Sequence, residues 1–209
     1  MDFHWLKRTE GARRIIVFFG GWAIGPAPLA HLTGPEDVLF ADDYRDLAAN
    51  LPNLSAYDHR ALIAFSFGVG AFGHWQAGRG LSFDRRVAIN GSLSPIDTRT
   101  GIPPRTFQRT LDGLTPDSFQ SFLALCSGDA PPPAQLFDLP ARRDELIATA
   151  TRGPAPACPW DRIWISSTDR IFPPANLARA WEDQPDRIRH LDAPHLPFAQ
   201  FQSWQEILA

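Results

Sequence analysis

The chain is expected to fold as a doubly wound α/β domain, on three grounds. Short apolar runs recur along its 209 residues. The segments between them are long enough for crossover helices. The runs are continuously apolar and rich in β-branched residues rather than alternating, as strands buried on both faces of a parallel sheet require. A chain of this length can bury one sizeable core but would be cramped as two full domains.

Six runs are candidate strands: Arg13 to Phe19, Asp37 to Ala41, Arg60 to Phe65, Arg85 to Asn90, Arg162 to Ser167 and Arg187 to Asp192. The last is more polar and is expected at an edge. "DFHWLKR" near the start is expected to add an antiparallel edge strand. Phe67 to Ala77 and Ala175 to Asp183 carry helical spacing. From Ser94 to Pro159 the alternation stops. That stretch holds three helical patterns, "TFQRTLDGL", "PDSFQSFLALC" and "ARRDELIATATR", with "APPPAQ" as a rigid joint. An insertion of this size in a compact domain is usually functional. It falls between the fourth and fifth core strands, on the side where open α/β sheets bind ligands, and reads as a helical lid over residues 94–159.

"LIAFSFGVGAF" (Leu62 to Phe72) places one hydroxyl between an apolar strand and a glycine-rich helix start. A sharp strand-to-helix turn pushes such a side chain outward, and this is the turn that carries the nucleophile of α/β-hydrolases. A serine needs a base within hydrogen-bond reach and a third group to orient that base. In this fold the acid and then the histidine follow the serine along the chain. Of six histidines, His195 in "LDAPHLPF" is the one that follows the last strand, on a loop stiffened by Pro194 and Pro197. Asp169 in "STDRIFPP" stands on the loop after the fifth core strand. Asp192 competes for the same role but is too close in sequence to His195 to reach the far ring nitrogen without strain. The two glycines of "FFGGWA" end the first core strand. Without Cβ atoms they let the backbone turn its N–H groups toward Ser66, so the amides of Trp22 and Phe67 are the expected oxyanion donors.

Composition narrows the remaining classes. A net charge of −3 argues against a general affinity for nucleic acid or membrane surfaces. No apolar run approaches the roughly 20 residues that span a bilayer, and the charged start does not resemble a signal peptide. Two cysteines far apart give neither a disulfide framework nor a zinc site. No cluster of metal ligands and no phosphate-binding loop is present, so no cofactor is expected. A cytoplasmic monomer is the expectation.

The blocks "FFGGW", "ADDYRDL", "AFSFGVGAF", "AINGSLSPID", "GIPPRTF", "STDRIFPP" and "DAPHLPF" together resemble the BioG family of short α/β-hydrolases, over nearly the whole chain. The resemblance implies hydrolysis of the methyl ester of a pimeloyl group held on acyl carrier protein, in biotin synthesis. It assigns Ser66 as nucleophile, Asp169 as acid and His195 as base. A general short-chain esterase or thioesterase is the alternative. The apolar positions of the insertion, Phe107 and Phe122 among them, are expected to line an acyl channel. Its arginines, Arg142 and Arg143 in particular, are expected to meet the acidic carrier.

Overall fold

A computed structural model describes residues 1–134 and 138–209. It contains a seven-stranded sheet in the order β1-β3-β2-β4-β5-β6-β7. The strands are β1 (Asp2–Lys7), β2 (Arg14–Phe19), β3 (Asp37–Asp42), β4 (His59–Phe65), β5 (Arg85–Ile89), β6 (Arg162–Ser166) and β7 (Ile188–Leu191). All pairings are parallel except β1 with β3, which is antiparallel. The amino-terminal strand therefore forms one edge and the polar β7 the other, each where its composition placed it. β2 and β4 carry unbroken buried runs, Ile15 to Phe19 and Leu62 to Phe65, as a sheet covered on both faces demands.

Neighbouring residues of β2 demonstrate that double cover. Side chains alternate between the faces of a strand. Phe18 meets Phe198 and Trp204 at ring distances of 5.8 and 6.1 Å, whereas Phe19 meets Phe72 and Trp75 at 5.3 and 5.4 Å. Phe72 and Trp75 belong to α1 (Phe67–Gln76), and Trp204 opens α6 (Trp204–Leu208). Between β5 and β6 lie the three helices of the insertion: α2 (Pro104–Asp112), α3 (Pro116–Ser127) and α4 (Leu139–Arg152). Thr115 and Ser118 form a reciprocal capping box at the start of α3, and Asp138 caps α4 through the Ala141 N–H. Residues 130–134 of the proline joint have no regular structure, and Gln135 lies outside the described residues. α5 (Pro174–Ala180) follows β6.

One expectation fails. The crossovers flanking β3 contain no α-helix, only a short turn of 3₁₀ helix at Ala27–Leu29. Between β3 and β4 the Asp46 and Asn53 side chains accept backbone N–H groups two residues on, from Ala48 and Ser55. Such local bonds compete with helix formation. The Trp75 indole, 2.8 Å from the Ala49 carbonyl, holds the resulting loop against α1.

Candidate active site

Ser66 stands alone between the end of β4 and the start of α1. Its backbone has φ 57° and ψ −126°, a conformation that costs a non-glycine residue about 1–3 kcal/mol and persists only where its surroundings enforce it. Those surroundings are close backbone contacts. A Cβ on Gly68 would come 2.3 Å from the Phe19 carbonyl oxygen, and one on Gly91 would come 2.3 Å from the Ser66 carbonyl oxygen. The turn therefore requires glycine at both places. The Ser66 N–H donates to the Ile89 carbonyl at 2.9 Å, anchoring the turn to β5.

His195 arrives from the loop after β7. Its Nε2 is 3.0 Å from Ser66 Oγ and its Nδ1 is 2.7 Å from Asp169 Oδ2. Asp169 accepts with its other oxygen from the Ile171 and Phe172 N–H groups, at 2.7 and 2.9 Å. With its acceptors thus occupied, the carboxylate is fixed in direction, and Nδ1 is the ring nitrogen that carries the proton toward it. Phe65 and Phe172 pack against the imidazole, which is 1% exposed. Asp192 lies on the surface and accepts from the Ser167 hydroxyl at 3.1 Å, away from the ring.

The histidine backbone has a support that the sequence did not announce. Asn90, buried at the end of β5 with φ 45°, donates from Nδ2 to Ser166 Oγ and to the His195 carbonyl, both at 2.8 Å. Its Oδ1 accepts the Ser166 N–H at 2.8 Å. One amide thereby joins β5, β6 and the histidine loop.

Gly20 and Gly21 turn sharply after β2. A Cβ on Gly20 would meet the Phe40 ring at 2.5 Å, and one on Gly21 would meet the Phe65 ring at 2.8 Å. The backbone N–H groups of Trp22 and Phe67 have no hydrogen-bond partner among the described residues, and both residues line the cavity onto which Ser66 opens. That cavity holds about 250 Å³ and is walled mainly by apolar side chains, Ile102, Phe107, Leu114 and Phe122 among them. The expected positions Phe107 and Phe122 thus line the same cavity as Ser66.

The arginines are arranged differently from the expectation. Arg142 is turned inward: its Nη1 is 3.1 Å from the buried Glu145 carboxylate, and its carbonyl accepts the Trp22 indole N–H at 3.0 Å. Arg143 is half-buried and does not line the cavity. The insertion also carries no net positive charge, with six arginines against seven acidic residues over 94–159. The cations that do line the cavity are Arg109 and Arg170, both exposed, whose guanidinium groups have no partner among the described residues. Among the described residues no group of three or more His, Cys, Asp or Glu could hold a metal ion, and no helix is long and apolar enough to cross a membrane.

Comparison with known proteins places this architecture. The description "Pimeloyl-ACP methyl esterase BioG" matches residues 3–207. The chain belongs to the BioG family. Its similarity to the crystal structure of BioG from Haemophilus influenzae has a TM-score of 0.88, with 28% identity and full coverage of both chains. A Haemophilus influenzae protein is 32% identical over 207 residues, covering 92% of this chain and 93% of that one. A Bacteroides fragilis protein named malonyl-[acyl-carrier protein] O-methyltransferase is 31% identical over 193 residues. This chain spans 39% of that relative's length. Beyond the BioG family, a lipase-esterase related protein from Clostridium acetobutylicum shares the fold, with a TM-score of 0.64 at 10% identity. This BioG-family chain thus has the α/β-hydrolase fold.

Proposed function

We infer that the chain is a serine carboxylesterase that hydrolyses the methyl ester of a pimeloyl group carried on acyl carrier protein, releasing methanol in biotin synthesis. The observation that carries this reading is the relay Ser66–His195–Asp169, at 3.0 and 2.7 Å, opening onto an apolar cavity in a chain of this family. His195 Nε2 takes the Ser66 proton as Oγ attacks the ester carbonyl. Asp169 holds the other ring nitrogen and stabilises the imidazolium. The carbonyl oxygen becomes an oxyanion between the Trp22 and Phe67 N–H groups. Collapse of the tetrahedral intermediate expels methoxide, which leaves as methanol with the proton from His195. Water then attacks the acyl-enzyme, the imidazole again acting as base, and the carrier-bound acid departs.

The helical insertion over 94–159 acts as a lid, with the acyl chain along Phe107 and Phe122. Arg109 and Arg170 at the cavity suit the anionic carrier and its arm better than the inward-facing Arg142. The name of the Bacteroides relative is in keeping with carrier-bound methyl esters, since a carrier-directed O-methyltransferase makes esters of the kind this enzyme cleaves.

The test is methanol release from the pimeloyl-carrier methyl ester. Ser66→Ala should fall to background, since removing a triad serine has cost about 10⁶ in kcat. Asp169→Asn should lose about 10⁴, through the wrong tautomer. Asp192→Asn should stay within about threefold of wild type, as a surface substitution away from the reacting groups. More than a few per cent of activity in Ser66→Ala would remove Ser66 as nucleophile. Wild-type inertness toward the carrier-bound ester, alongside cleavage of small esters, would leave a general esterase.

A further inference from the structure

A closed ring of hydrogen bonds joins the turn after β2 to the helical insertion. Tyr44, just past β3, donates its hydroxyl to the Gly20 carbonyl at 2.9 Å, with the Ala41 carbonyl 3.0 Å away. Two residues along the turn, the Trp22 indole donates to the Arg142 carbonyl in α4. The Arg142 guanidinium meets one oxygen of Glu145, and the other oxygen of Glu145 accepts the Tyr44 backbone N–H at 3.0 Å, closing the ring. Arg152, in the last turn of α4, adds a bond to the Tyr44 carbonyl. Tyr44 is 1% exposed and Glu145 is 2% exposed.

Packing alone does not account for these polar groups. The Tyr44 ring stacks on Phe19 at 6.1 Å, and phenylalanine would stack equally well without a buried hydroxyl. A buried carboxylate is costly even when paired. What the ring constrains is a pair of glycines with little conformational preference of their own. The Gly20 carbonyl is wedged between the Tyr44 hydroxyl and Gly68 of the serine turn, where an added Cβ would lie 2.6 Å from it. That carbonyl shares a rigid peptide plane with the Gly21 N–H. Rotating the plane re-aims the next peptide, which carries the Trp22 N–H.

We propose that Tyr44 and Glu145 are positioning residues that aim the Trp22 N–H at the developing oxyanion, so that α4 of the insertion serves the chemical step as well as substrate binding. The proposal rests on the reading of Ser66 as nucleophile and of the Trp22 amide as an oxyanion donor. It separates two roles for the insertion. A cover over the cavity affects the binding of long substrates, whereas a brace on the turn affects turnover of even the smallest.

The experiment uses Tyr44→Phe, Glu145→Gln and the double variant in the full chain, with p-nitrophenyl acetate as substrate and phenylboronic acid as a tetrahedral analogue. Each single variant should lower kcat about 10- to 100-fold, short of the 10²–10³ typical when a donor is removed outright. KM should stay within about twofold, because ground-state binding does not use the donor. The inhibition constant of the boronic acid should rise in step with the loss of kcat. The double variant should fall little below the worse single one, since both act through one peptide. Unchanged kcat and boronate affinity in folded Tyr44→Phe would overturn the proposal, as would a lowered kcat with unaltered boronate affinity. Should Tyr44→Phe fail to fold, the isosteric Glu145→Gln decides by the same two readouts. Residual turnover in Ser66→Ala would instead refute the site assignment on which the proposal rests, and no result with Tyr44 mimics it.

Discussion

Burial pushes the Glu145 carboxyl above its ordinary 4.5, with the Asp43 charge adding to the rise, against the opposing Tyr44 N–H and Arg142. Arg45 and Arg152 are the other cations that feel its charge. A carboxyl raised in the fold holds its proton where the unfolded chain has lost it. Its contribution to stability is therefore fully present below about pH 4.5 and is lost as pH rises through the raised value. Wild type should accordingly lose stability relative to Glu145→Gln between pH 4.5 and neutrality, read from urea unfolding of both proteins across that range. A wild type that gains on the variant instead would reverse the sign. The meeting of Ser66, Asp169 and His195 was legible in the sequence because their chain order fits the fold and a glycine or proline stands within four residues of each. Tyr44, Glu145 and Asn90 were not. Each acts through partners up to about 100 residues away, and such contacts leave no local pattern.

Among the elements, the strands were legible to within a residue or two because two-sided burial writes itself as unbroken apolar runs. The helices of the insertion were legible from apolar spacing between prolines. The β3–β4 crossover was not, since Asp46 and Asn53 divert its backbone into local turns that length alone does not reveal. Orientation was also beyond the sequence: α4 carries Arg142 on the face that Glu145 draws inward, whereas a string of arginines reads equally well as an outer surface. Where α2 and α3 meet, Leu114 lies buried against the cavity. Leu114→Trp should fill part of that space. In a series of p-nitrophenyl esters, kcat/KM for decanoate should fall about tenfold relative to acetate, the scale of a methylene or more of lost fit. An unaltered chain-length profile in a folded variant would place the acyl chain elsewhere.

Across the whole molecule, the site gathers the carboxyl ends of several strands: the glycine turn after β2, the serine after β4, the aspartate after β6 and the histidine after β7. A site at that edge is what the parallel sheet itself favours. A rim strand is the first part of such a sheet to loosen, and local opening is cheapest where few neighbours hold an element. β7 is a rim strand of four residues, and His195 hangs from the loop that follows it. Asn90 changes the order of failure. By gripping the His195 carbonyl from β5, flanked by β4 and β6, it moors the imidazole to the interior rather than to the rim. On warming, loss of turnover should therefore coincide with the melting of the whole sheet followed by tryptophan fluorescence. In Asn90→Ala the two curves should part, with activity failing at the lower temperature. Coincident curves in that variant would mean that the rim holds His195 unaided. On the proposed function, the heat tolerance of catalysis should thus be set by one amide in the interior of the sheet, and not by its weakest strand.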